Sequence, residues 1–64
     1  MKINKKIVDL RKARGMTQKE LASKLGITVQ AVSRWETEKC CPDIQLLPDI
    51  AQILGVTIDE LFGY

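Results

Sequence analysis

Apolar residues recur at helical spacing along this chain, and short polar side chains mark where each helix should start. Ile3, Ile7 and Leu10 form a first stripe. Asn4 stands where an N-cap is expected, with Ile3 and Val8 placed as a hydrophobic staple and Gly15 closing the helix. A second helix opens at Thr17, whose hydroxyl and the Glu20 carboxylate have the spacing of a capping box. Gly26 ends it, since a residue without Cβ suits the left-handed position after a helix, and Ile27 can fold back on the apolar side. Thr28 caps a third helix expected over residues 28–38. Ile44, Leu47, Ile50, Ala51 and Leu54 carry a fourth pattern, which Pro48 interrupts. The pattern predicts a first turn over residues 43–46 capped by Asp43, a bend, and regular helix over 48–54 ending at Gly55. Thr57 and Glu60 repeat the capping-box spacing and open a short last helix that ends near Gly63. The expectation is an all-α fold, a compact five-helix bundle forming one domain over residues 1–64. Its core is expected to hold Trp35, Leu21, Leu25, Ile27, Val32, Ile50, Leu54, Val56, Ile58 and Leu61.

The segment over residues 17–37 is the most informative. About three turn residues join its two helices, so they must cross steeply, and the crossing needs a small residue where the backbones meet. Ala22 supplies it. At 100° per residue, Val32, Trp35 and Glu36 fall on one side of the later helix with Ala31 at the border. Gln30, Ser33, Arg34 and Thr37 fall on the other, with Val29 at the leading edge. The outward side lacks the Glu-to-Lys ladders that ordinary solvated helices carry. A glutamine matches the N6 and N7 edge of adenine, an arginine fork matches guanine O6 and N7, and a small apolar residue suits the thymine methyl. Such a helix, fixed on one face and free on the other, is built to enter the major groove of DNA.

Arg11 borders the first apolar stripe, where an unpaired guanidinium is costly, and Glu36 occupies a similar inward position. The two are expected to form a bidentate structural ion pair that sets the angle of the third helix.

Size and charge narrow the function. At 64 residues the chain buries only about 60% of its unfolded surface and leaves no room for a deep catalytic cavity, so it is not expected to be an enzyme. Residues 1–19 hold seven Lys and Arg against one Asp, and residues 20–64 hold three against seven acids, within a net charge of +2. A domain with one basic end can turn that end to phosphates. No apolar run approaches the roughly 18 residues of a membrane span, and the N-terminus lacks an apolar signal region, so a cytoplasmic location is expected. There is no histidine, and the two cysteines are the adjacent Cys40 and Cys41. Two ligands cannot make a structural zinc site. They are read as loop residues, a redox or soft-metal sensor being the alternative. No metal, cofactor or small-molecule ligand is expected.

These residues closely resemble the phage repressor and Cro-like helix-turn-helix family of bacterial transcriptional regulators, also called the XRE family. The resemblance rests on residues 10–15, 17–22 and 25–27, on Val32-Ser33-Arg34-Trp35-Glu36, on Pro42-Asp43 and on residues 54–61, and it covers nearly the whole chain. It implies a lambda-repressor-like DNA-binding domain acting as a regulator, most often a repressor. It further implies a homodimer, at least on DNA, bound to an inverted-repeat operator in double-stranded DNA. By the same resemblance Val29, Gln30 and Arg34 read bases, and Ser33 joins the base-reading set from its place on the outward side. Gln18 holds phosphate, with Lys19, Thr28, Thr37 and Lys39 completing the backbone-contacting set. Two departures stand out: Glu38 occupies a position that is often glycine in the family, and the Cys40-Cys41 pair has no counterpart. Many relatives carry a second domain. Dimerisation here would use the surface around Ile58, Phe62 and Tyr64, or the chain would act with another protein. The competing reading is a protein-interaction module, for example the partner-binding part of a toxin–antitoxin or regulatory complex.

Overall fold

In the computed structural model, which describes residues 2–63, the chain forms five α-helices joined by tight turns: α1 (Lys2–Ala13), α2 (Gln18–Leu25), α3 (Val29–Glu36), α4 (Leu47–Leu54) and α5 (Ile58–Leu61). A 3-10 turn at Ile44–Leu46 leads into α4. Its Asp43 cap accepts from the Gln45 N–H at 3.0 Å. There is no strand among the described residues. Pro48 sits in the first turn of α4, where its missing N–H would have had no partner in any case.

Both capping boxes are formed. Thr17 Oγ1 accepts from Glu20 N–H at 3.0 Å while the Glu20 carboxylate accepts from Thr17 N–H at 2.9 Å, and Thr57 and Glu60 repeat the exchange at 3.1 and 3.3 Å. Gly26 is left-handed at φ 72°. The Ile27 N–H then returns to the Ala22 carbonyl at 3.0 Å, which brings α3 back across α2 with Ala22 buried at the crossing.

The core holds Ile3, Ile7, Leu21, Ala22, Val32, Trp35, Leu47, Ile50, Ala51, Leu54 and Leu61. Leu10, Leu25, Ile27, Val56 and Phe62 pack around it half-buried. Ile58 lies outside it at 39% exposure. It is the first residue of a four-residue helix whose buried residue is Leu61. Of the surface expected to pair two copies, Phe62 is thus packed inward and Tyr64 lies outside the described residues.

Helix boundaries depart from the sequence expectation most at the start of α1 and the end of α3. Because α1 starts at Lys2, Asn4 is an interior residue of that helix and not its cap, and Ile3 is a core residue and not the outer half of a staple. The amide of Asn4 turns inward to the exit of α3, where Nδ2 donates to the Trp35 carbonyl at 2.7 Å and to that of Cys40 at 3.0 Å. The third helix also stops at Glu36, short of residue 38. Thr37 caps it, and Glu38 takes a left-handed φ of 61°. That conformation folds the chain back, so that the Lys39 N–H meets the Arg34 carbonyl at 2.9 Å.

Candidate nucleic-acid interface

The exposed face of α3 is set by what locks its other face. Val32 is fully buried and Trp35 is nearly so. Beside them the Glu36 carboxylate receives Arg11 Nε at 2.6 Å and Arg11 Nη2 at 2.9 Å, with the two side chains only 8% and 10% exposed. This is the bidentate pair expected from the sequence. Two more bonds extend it: Arg11 Nη1 donates to the Met16 carbonyl at 2.7 Å, and Gln18 Nε2 donates to Glu36 Oε1 at 2.9 Å. Burial pushes the Glu36 carboxyl up. The hydrogen bonds from Arg11 and Gln18, with the charges of Arg11 and Lys12, outweigh that effect and hold it below the ordinary carboxylate range. One carboxylate thus joins the end of α1, the start of α2 and the end of α3.

The opposite face is open. Gln30 and Arg34 are exposed, and Val29 is 38% exposed at the leading edge. Ser33 is half-buried, so of the four expected base readers it has the least reach. The five expected phosphate contacts divide by their hydrogen bonds. Thr28 Oγ1 accepts from the Ala31 N–H at 3.3 Å, which leaves its own proton to give to an anion. Thr37 already donates its hydroxyl proton to the Ser33 carbonyl at 2.9 Å. Gln18 spends one amide N–H on Glu36 and keeps another, and its main-chain N–H lies in the first turn of α2, where helical donors are unpaired. Lys19 and Lys39 are exposed.

The residue that sequence reasoning misplaced is Asn4, which is 1% exposed and clamps the exit of α3. Its signal was its spacing. Asn4, Ile7 and Arg11 share one side of α1, and a polar residue on an apolar stripe demands partners. Among the described residues no buried side-chain nitrogen or oxygen lacks a hydrogen bond, no group of three or more His, Cys, Asp and Glu side chains is placed to hold a metal, and no helix is long and apolar enough to cross a membrane.

Comparison with known proteins agrees with this geometry. Residues 7–61 match the model of the Helix-turn-helix family. The chain is 39% identical over 63 residues to the HTH-type transcriptional activator BcrR of Enterococcus faecalis, covering 98% of this chain and 31% of that protein. It is 35% identical over 63 residues to the cryptic phage CTXphi transcriptional repressor RstR of Vibrio cholerae, covering 98% and 56%. An uncharacterized HTH-type transcriptional regulator of Methanocaldococcus jannaschii is 39% identical over 49 residues, 77% of this chain and 74% of that protein. The chain thus spans about a third and somewhat over half the length of the first two.

Proposed function

From the chain's membership of the phage repressor and Cro-like helix-turn-helix family, we propose that it is a sequence-specific double-stranded DNA-binding transcriptional regulator that places α3 in the major groove. The observation that carries this reading is the division of α3 itself. Val32, Trp35 and Glu36 are locked against the rest of the molecule, while Gln30 and Arg34 stand free with the donors and acceptors that base edges require and Val29 beside them offers an apolar contact. Gln30 reads adenine, Arg34 reads guanine, and Val29 meets a thymine methyl. Ser33 lies behind them. Gln18, Lys19, Thr28 and Lys39 hold phosphates. Thr37 joins them only by giving up its bond to the Ser33 carbonyl.

A single domain of this size covers too few base pairs for useful specificity, so two copies act together on an inverted repeat whose half-site centres lie about 34 Å apart. A bound pair represses when its operator overlaps a promoter. The proposed place of action is the cytoplasm. The test is the salt dependence of binding to duplex DNA. Affinity that falls steeply, with a log–log slope of about −0.9 per phosphate contacted, supports the reading. Binding that ignores salt, or is confined to a protein partner, would make the domain a protein-interaction module instead.

A further inference from the structure

Cys40 and Cys41 take no part in the reading face, yet they are tied to it. Both are exposed. The Cys41 Sγ–H donates to Asn4 Oδ1 at 3.9 Å, and Nδ2 of the same amide holds the carbonyls of Trp35 and Cys40. Asn4 is buried, so water cannot replace a partner it loses without rearrangement. One side chain therefore links the state of the thiols to the last turn of α3.

We propose that Cys40 and Cys41 form a dithiol site for a trivalent arsenical, and that its occupation loosens the exit of α3. Sulfur donors select soft centres. Zinc wants four ligands, whereas an arsenic that carries one substituent of its own needs two sulfurs. The Cα atoms of neighbouring residues are about 3.8 Å apart, a short tether that suits a bent S–As–S angle and not a linear two-sulfur ion. With an aryl arsenic oxide, the arsenic–oxygen double bond gives way to two arsenic–sulfur bonds. The oxygen leaves as water with the two thiol protons, and no oxidation state changes. Cys41 then has no S–H to donate to Asn4 Oδ1. Closing the ring also constrains the peptide whose carbonyl Nδ2 holds.

The consequence for DNA rests on the function proposed above, so the test reads the site and the DNA separately. The whole chain is treated with one equivalent of phenylarsine oxide and followed by intact mass, by the NMR resonances of the Asn4 side-chain amide, and by affinity for duplex DNA. The expected result is one arsenic per chain with both thiols consumed, released by 2,3-dimercaptopropanol but not by an equivalent of monothiol, because the paired thiols act at high effective concentration. The Asn4 amide resonances should shift. Duplex affinity should fall by about tenfold, the equivalent of one lost hydrogen bond. The variant carrying both Cys40→Ser and Cys41→Ser keeps a hydroxyl that can donate to Asn4, so it should bind DNA as the unmodified chain does and take up no arsenic. Two arsenicals per chain, release by monothiol, or an adduct that leaves the Asn4 resonances in place would overturn the proposal. So would an adduct that shifts them with no loss of affinity. A chain that binds no duplex at all would refute the DNA reading alone, and the mass and Asn4 readouts would still decide the site.

Discussion

Replacing Arg11 by alanine strands a carboxylate that the fold has almost sealed from water. Glu36 is 8% exposed and takes two charge-assisted bonds from Arg11, so after the change only Gln18 still donates to it. Removing one partner of such a buried pair costs about 3 kcal/mol. A domain of 64 residues has only about 3 to 10 kcal/mol of stability to lose, at 0.05 to 0.15 per residue. The variant is therefore expected to melt roughly 12 to 24 °C lower, at 4 to 8 °C per kcal/mol. Glu36→Leu alone should cost a similar amount, because Arg11 would keep only the Met16 carbonyl. The paired change Arg11→Met with Glu36→Leu removes both charges together and fills the space with apolar atoms, so it should fall within about 1 kcal/mol of the unmodified chain. Urea unfolding in the cold, followed by the fluorescence of Trp35, measures all four proteins. If the double variant loses as much as the two single variants added together, the residues are not coupled, and the account of how α3 is held at its angle is wrong.

Three further outcomes follow from the same contacts. The lowered Glu36 carboxyl means that the unfolded chain binds its proton first on acidification. Its stabilisation is present above the ordinary carboxylate range and lost as pH falls through the folded value, so stability should fall in acid less steeply in the Arg11→Met, Glu36→Leu variant. Asn4→Ala removes the donor to the Trp35 and Cys40 carbonyls and should cost about 1 to 3 kcal/mol in urea unfolding, whereas a capping role would cost the first turn of α1 alone. Glu38→Gly relieves a left-handed residue and should raise stability by about 1 kcal/mol, and under the proposed function it should tighten DNA binding by removing an acid just past α3; a loss of stability would show that the Glu38 side chain contributes more than its backbone costs.

The helices were legible because their ends are written in local chemistry. Thr17 with Glu20, Gly26, Thr28, and Thr57 with Glu60 each act within one turn of the chain, and the Arg11–Glu36 pair was visible because both residues border apolar stripes. What the sequence hid depends on distant parts of the chain. Asn4 looks like a cap until α3 brings two carbonyls to it from 31 and 36 residues away. Gln18 looks like a free phosphate ligand until Glu36 takes one of its amide protons. Ile58 reads as core by its apolar character, yet it opens a four-residue helix that turns Leu61 inward in its place. Glu38 shows how a turn can override composition: the return of Lys39 to the Arg34 carbonyl needs a left-handed residue, and an acid serves where glycine would be easier.

Selection of bound sites from a random pool of duplex DNA tests the central claim most directly, carried out with the unmodified chain, with Gln30→Ala and with Gln18→Ala. The account predicts inverted repeats with half-site centres about one helical turn apart. Gln30→Ala should erase an adenine preference at one base pair in each half-site, at a cost of about 1 to 3 kcal/mol on the preferred sequence. Gln18→Ala should weaken binding to every sequence alike, since a phosphate contact carries no base identity. A pool that returns no enriched sequence, or one whose base preferences are unchanged by Gln30→Ala, would contradict the claim that α3 reads DNA.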